Sequence, residues 1–297
     1  MVMKFAGFIM TYERPVILLA TIEKVFLQTF PPEKILIVDN SETKITENLI
    51  EELRNDRIEY FRVGYNAGPA GAAKIGLQKL ADAGYDWIYW GDDDDPPTFE
   101  DSFEKLFAMI DSNAHSEIGI VGGVGQYFNR STGVIERVSN NELMESKTLR
   151  VDSIAGGQTM VVNARVVREG ILPNEKLFFG FEELDFCLRV KKAGFNLLVP
   201  CDLFIRSRVK YNRINLEKSI YIKQEISKLP RQYYSTRNML HILRQQRWMK
   251  AYYYQLAKSV IKSIYGFRFG LKYGFYNSQM ILLAIYDYMN NKLGKRF

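Results

Sequence analysis

The sequence predicts an α/β fold built on a mostly parallel β-sheet with helices on both faces, and three observations carry that reading. Short apolar runs rich in Ile, Val and aromatic residues recur along the first 122 residues: FAGFIM, KILIV, DWIYW and EIGIV. Helical periodicity fills the intervals between them, as strand–helix–strand crossovers require. Acidic residues follow directly on two of the runs, at Asp39 and at Asp92–Asp95, where open parallel sheets bind their ligands.

Taken in order, Lys4–Met10 reads as a buried strand and Arg14–Gln28 as a helix with Pro15 in its first turn, where the missing N–H costs nothing. Lys34–Val38 is a second strand ending in Asp39-Asn40-Ser41, Ile45–Asn55 is helical by period, and Ile58–Val63 is a third strand. A glycine-rich turn at Asn66–Gly71 opens a helix that runs to about Ala83. Trp87–Gly91 is the next strand, followed by a helix over Phe99–Asn113 and a strand at Ile118–Gly122. Beyond it, Gln126–Val138 reads as a hairpin around Asn129–Gly133, and Asn140–Lys147 as a polar loop. Asp152–Gly157 leads into a strand at Thr159–Val162, with a short helix from Ala164. A helix starting near Glu182 buries Leu184, Cys187 and Leu188, and residues 216–293 are mostly helical.

The run Asp92–Asp95 is the chemical centre of this pattern. Two like charges about 4 Å apart repel by roughly 4 kcal/mol at an effective dielectric near 20. Four carboxylates at the end of a buried strand therefore call for a cation, a raised pKa or open water. Their place at a strand's carboxyl end favours a divalent ion held through oxygens over a solvated acidic loop. Glu182, Glu183 and Asp185 form a second acidic cluster at a helix start, where complementing the helix dipole would by itself explain them.

Composition narrows the class further. With 297 residues, 47% hydrophobic and 25% charged, the chain has the make-up of a globular protein with a full core. Two cysteines, Cys187 and Cys201, are too few for a disulfide framework or a thiolate metal site. The N-terminal stretch lacks the longer apolar core and cleavage site of a signal peptide, and no apolar run is long enough to span a bilayer. A reducing cytoplasmic setting is expected. The net charge of +6 is divided unevenly: residues 1–203 carry 21 Lys and Arg against 31 Asp and Glu, whereas residues 204–297 carry 19 against 3. That asymmetry predicts an acidic catalytic domain over 1–203 and a basic, aromatic-rich helical region over 204–297.

The order and spacing of TYERP, ILIVDNSE, NAGPAGA, YWGDDDDPP, GGQTMVV, FFGFEELDFCLR and RQYYSTRN, over roughly residues 4–245, resemble the family 2 glycosyltransferases of the GT-A fold. The nearest likeness is to bacterial rhamnosyltransferases and galactofuranosyltransferases. The resemblance implies a metal-dependent, inverting transfer of a sugar from a UDP- or dTDP-sugar to a glycan or lipid-linked glycan in surface polysaccharide synthesis. It implies that Thr11, Glu13, Asp39, Asn66, Asp92, Asp93 and Arg237 meet the donor, Asp39 through the base and Arg237 through a phosphate. Asp92 and Asp94 would hold Mn²⁺ or Mg²⁺. Glu183 falls at the position of the catalytic base, with Asp185 its alternative, and Gly156, Gly157 and Glu182 lie on the acceptor side.

There are departures from the family pattern. No His follows Leu197–Pro200, where many relatives supply one to the metal; either the metal has fewer protein ligands, or Asp202 or a water substitutes. Glu rather than Asp at 183 lengthens the base by one methylene. Asn66–Gly71 lacks the ending of a phosphate-gripping P-loop, so its glycines serve either a close backbone approach near the sugar or a helix-opening turn. His115 and His241 are the only histidines, and neither has a nucleophile-like setting.

In the basic third, Ala257–Phe275 spaces cations among aromatic and aliphatic residues. This suits a helix lying in the headgroup layer, hence peripheral attachment to the inner face of the cell membrane through its anionic surface. Packing of the same aromatics on the catalytic domain or on another copy in a homo-oligomer is the plainer alternative. No nucleic-acid motif is present. Two rivals stand beside the transferase: a nucleotidyltransferase on a related α/β fold, and a non-enzymatic membrane-surface protein whose aspartates bind calcium.

Overall fold

The computed structural model describes residues 3–155, 157, 159–215 and 223–297. They fall into two compact units. The first comprises Met1–Tyr127, Arg137–Glu175 and Glu183–Asn215, and the second Phe128–Glu136, Lys176–Glu182 and Leu216–Phe297.

The strands are β1 (Phe5–Thr11), β2 (Ile35–Asp39), β3 (Ile58–Arg62), β4 (Trp87–Asp92), β5 (Ile118–Val121), β6 (Gln126–Asn129), β7 (Val134–Arg137), β8 (Thr148–Arg150), β9 (Met160–Asn163) and β10 (Asn196–Pro200). Eight of them form one sheet in the order β3-β2-β1-β4-β9-β5-β10-β8, while β6 and β7 make the expected hairpin. Within the sheet β3, β2, β1 and β4 run parallel, as do β5 and β10. Strand β9 is antiparallel to both β4 and β5, and β8 is antiparallel to β10 at the edge.

Apolar residues on both faces of the central strands explain why helices cover both sides. Ala6, Phe8, Leu36, Val38, Ile88 and Trp90 pack on one side with α3 (Gly68–Asp82), α6 (Ala164–Arg168) and α7 (Glu182–Lys192). Phe5, Ile9, Ile35, Ile37, Trp87 and Tyr89 pack on the other with α1 (Pro15–Phe26), α2 (Ile45–Glu52) and α4 (Ser102–Ser112). The expected burial of Leu184, Cys187 and Leu188 on α7 is found.

Two stretches differ from the sequence reading. The expected loop at Asn140–Lys147 contains a helix, α5 (Asn140–Glu145), opened by a capping box. Ser139 Oγ accepts from the Glu142 amide at 3.1 Å, and the Glu142 carboxylate accepts from the Ser139 amide at 2.9 Å. Further on, β10 leads straight into α8 (Cys201–Lys210), which buries Leu203 and Phe204 in the first unit. The change from acidic to basic composition at 203/204 thus falls inside a helix.

The second unit is built on α9 (Leu229–Gln245), α10 (Met249–Tyr265) and α11 (Leu271–Met289). Leu229, Tyr233, Tyr234, Tyr273, Met280 and Ala284 form its apolar cluster, with Phe178 and Phe179 against it. Tyr233 also donates to the buried Asp287 carboxylate at 2.7 Å. Tyr221, among the aromatics of the basic third, lies outside the described residues. No described helix is long and apolar enough to cross a membrane.

Candidate active site

The register of β1 on β4 pairs Met10 with Asp92, so Thr11 and Asp93 leave the sheet side by side. Thr11 Oγ1 donates to Asp93 Oδ2 at 2.7 Å, and Thr21 of α1 donates to the Asp93 carbonyl at 2.6 Å. Arg14, just before α1, reaches Asp93 at 3.3 Å and Asp94 at 2.6 Å. Asp93 is buried, and its carboxylate also accepts from the Tyr12 amide. This side chain, expected at the donor, here ties the end of β4 to the end of β1. Arg14 is the residue that sequence reasoning missed as part of the site; its only signal was a cation three residues beyond Thr11, at the carboxyl end of a strand.

Charge is concentrated at Asp92. Burial first, then the carboxylates of Glu183, Asp94, Asp93 and Asp95, push its carboxyl well above the usual range. Asp95 is pushed up to about 6 by burial and by Asp94, against the pull of Arg213. The first unit therefore brings Glu183 of α7 into the field of Asp92 of β4, two residues 91 positions apart in the sequence. Gly157 closes in from another segment: a Cβ there would lie 2.2 Å from Asp95 Oδ2, so any larger residue would displace that carboxylate. Gly156 lies outside the described residues.

Glu183 and Asp185 differ in their surroundings. Asp185 is fully buried and paired with Arg189 at 2.8 Å, one turn along α7; Arg189 in turn donates to the Leu172 carbonyl at 2.7 Å. Glu183 is half-buried at the helix start, and Glu182 before it is buried. Phe181 takes φ +67°, a conformation rare for a bulky side chain.

On the side of β2, Asp39 is buried. Its Oδ1 accepts from the Ser41 amide at 2.8 Å and its Oδ2 from the Tyr60 hydroxyl at 2.7 Å. Burial and this bond push the Tyr60 phenol upward. Both carboxylate oxygens of Asp39 are thus engaged inside the protein. Glu13, at φ +55°, receives the amides of Glu42 and Thr43 at 2.8 and 2.9 Å and the Thr43 hydroxyl at 2.6 Å. These bonds hold its carboxyl below the usual range and make it a clamp between two loops. Asn66 Oδ1 accepts from the Gly68 amide at 3.0 Å, and Gly68 has φ +69°, so Asn66–Gly71 serves as the helix-opening turn of α3.

Arg237 is placed differently from the expectation of a phosphate contact. It is buried in the second unit between the rings of Tyr233 and Tyr234, each 5.2 Å from the guanidinium carbon. Its nitrogens donate to the Leu177 carbonyl at 3.0 Å, the Gly294 carbonyl at 2.8 Å and Asn238 Oδ1 at 3.0 Å. Those bonds give it a structural role and leave the guanidinium no free face for a phosphate.

For a hard divalent cation the donor set is suitable in kind: Asp92 and Asp94 offer oxygen only, in a pocket where negative charge is in excess. The suggested substitute for a third ligand, Asp202, pairs with Lys105 at 3.3 Å. Among the described residues no three His, Cys, Asp or Glu side chains are gathered as a self-sufficient metal site.

The family model of glycosyl transferase family 2 matches residues 8–169. Among solved structures, S. aureus TarS 1-349 is similar at 14% identity, over 97% of this chain and 92% of that one, with a TM-score of 0.50. The mannosyltransferase PcManGT from Pyrobaculum calidifontis, in complex with GDP-Man and Mn²⁺, is similar at 9% identity, over 97% and 88%, with a TM-score of 0.56. At these identities the likeness is one of fold. A comparison with curated proteins gave no match.

Proposed function

Because the chain belongs to glycosyl transferase family 2 and has the GT-A fold, we propose that it transfers a sugar from a nucleotide-diphosphate donor to a hydroxyl of a glycan or lipid-linked glycan, with inversion. The observation that carries this reading is that Glu183 lies near enough to Asp92 to raise its carboxyl, which puts a base candidate beside a run of carboxylates that calls for a cation. Glu183 would take the proton of the acceptor hydroxyl as its oxygen attacks the anomeric carbon. The bond from that carbon to the diphosphate breaks, and the nucleoside diphosphate leaves on the opposite face. Asp185, committed to Arg189, is the weaker candidate.

Asp92 and Asp94 would hold Mn²⁺ or Mg²⁺ together with the donor's diphosphate. When bound, the ion supplies charge neutralisation to the leaving group. Arg14, already on Asp94, fixes that carboxylate before the donor arrives. Asp39 would receive the base. The PcManGT complex with GDP-Man and Mn²⁺ supports a metal-assisted reading by analogy of fold, and the TarS 1-349 complex with UDP supports a nucleotide donor. Galactofuranose and rhamnose are the sugars favoured by the motif resemblance.

The test is nucleoside diphosphate release from a panel of nucleotide sugars, with and without Mn²⁺. Glu183→Gln should lower turnover by about 10²–10⁴-fold, the usual worth of a general base, while donor affinity stays near wild type. Undiminished transfer by this variant removes Glu183 from its role. Release of pyrophosphate instead of nucleoside diphosphate would indicate a nucleotidyltransferase.

The acceptor reading extends to a membrane. Ile261, Ile264, Leu271 and Phe275 of the second unit are 65–71% exposed, with Lys258, Arg268 and Lys272 interspersed in sequence. Apolar and cationic side chains together suit docking on an anionic bilayer surface.

A further inference from the structure

The chain enters α7 through a backbone that other groups must hold in place. Phe178 and Phe181 take φ +63° and +67°, left-handed values that bulky side chains rarely adopt, with Gly180 at +81° between them. Such a conformation persists only where its surroundings fix it. Here the fixing groups lie on α9, in the same unit as Lys176–Glu182. The fully buried Asn238 donates through Nδ2 to the carbonyls of Leu177, Phe179 and Gly180 at 3.0, 3.0 and 2.8 Å. Its Oδ1 accepts from Arg237 Nε at 3.0 Å, which sets the amide nitrogen toward the segment. One turn earlier on α9, the Tyr234 ring meets those of Phe178 and Phe179 at 5.4 and 6.0 Å.

The three carbonyls can only accept, so they call for a donor at this position. Arg237 shares the Leu177 carbonyl, at 3.0 Å, while Asn238 supplies a side-chain donor to all three. Glu183 stands three residues beyond Gly180, in the first turn of α7. No flexible linker separates the held segment from that turn, so a change in its backbone is passed directly to the helix start.

We propose that Asn238 is a positioning residue for proton transfer: its amide holds Leu177–Gly180 in the conformation from which α7 begins, and so fixes where the Glu183 carboxylate stands. Asn238 acts through the backbone and touches no reacting atom. The inference rests on the reading of Glu183 as the base.

A double-mutant cycle of Asn238→Ala and Glu183→Gln tests it, with nucleoside diphosphate release measured on the nucleotide sugar that the wild type uses fastest. Asn238→Ala should lower kcat by about 10- to 100-fold, as a misplaced catalytic group does, with the donor KM near wild type. In the Glu183→Gln background the same substitution should cost less than about twofold, because the group it positions is already inactive. Should Asn238→Ala fail to fold, Gly180→Ala takes its place in the cycle with the same expectations. An added Cβ there comes no nearer than 3.6 Å to any group, at Ser235 Oγ, so its effect is the strain of φ +81° on the segment itself. The proposal is overturned if the first variant keeps wild-type kcat, if its loss is the same in both backgrounds, or if the loss falls on the donor KM. Wild-type turnover by Glu183→Gln alone, or no release from any donor by the wild type, would instead bring down the base reading, and this inference with it.

Discussion

Asp95 ends the acidic run with its carboxyl pushed up to about 6, chiefly by burial. A carboxyl with a folded-state pKa above its unfolded value binds more protons when native, so its ionisation opposes folding as pH rises between the two values. The protein without divalent ions should therefore lose thermal stability from about pH 4 to about pH 6 through this group, and Asp95→Asn should flatten that part of the curve. Differential scanning fluorimetry across pH checks this, and an unchanged slope in the variant would contradict it. The acidity of the run was legible in the sequence; how its members divide the work was not. Asp93 turned out to be a tie between two strands because the β1–β4 register sets it against Thr11, and a register is invisible until strands pair. Arg14 entered the site for the same reason.

At the scale of elements, α9 shows how a motif can be recognised and its purpose misread. The stretch Tyr233-Tyr234…Arg237-Asn238 stands out in the sequence, yet Arg237 and Asn238 face the carbonyls of the Leu177–Gly180 segment and of Gly294. Asn238 alone donates to the carbonyls of Leu177, Phe179 and Gly180 at 3.0, 3.0 and 2.8 Å. This holds the segment just before α7, the helix that carries Glu183. Arg237→Ala would leave the Gly294 carbonyl and Asn238 Oδ1 without their Arg237 donor, about 1–3 kcal/mol for each that is buried, and would remove the packing of a side chain held between two rings. It should lower unfolding free energy by more than about 2 kcal/mol in urea titrations. Donor affinity of the fraction still folded should stay near wild type; a selective loss of donor affinity with unchanged stability would restore the phosphate-contact reading. Capping chemistry was equally readable and overlooked at α5, where Ser139 and Glu142 stand at capping-box spacing.

For the whole molecule, the division of charge between an acidic body and a basic third was plain from composition, and membrane attachment is the reading it favours. Each basic residue near an anionic surface contributes about 1 kcal/mol. Arg268→Gln with Lys272→Gln should therefore weaken co-sedimentation with phosphatidylserine vesicles by roughly 10- to 30-fold. Equal recovery with neutral and anionic vesicles would remove the electrostatic account. By itself the sequence determined the α/β class, the order of the first five strands, the acidic strand end and the helix start with Glu183, because each is written in local periodicity and spacing. The insertion of antiparallel β9 between β4 and β5, the meeting of Glu183 with Asp92 and the burial of Arg237 were decided only by tertiary structure. Each depends on which distant segments pack together, and that choice is made by the summed burial of apolar surface across the chain, which no local stretch records.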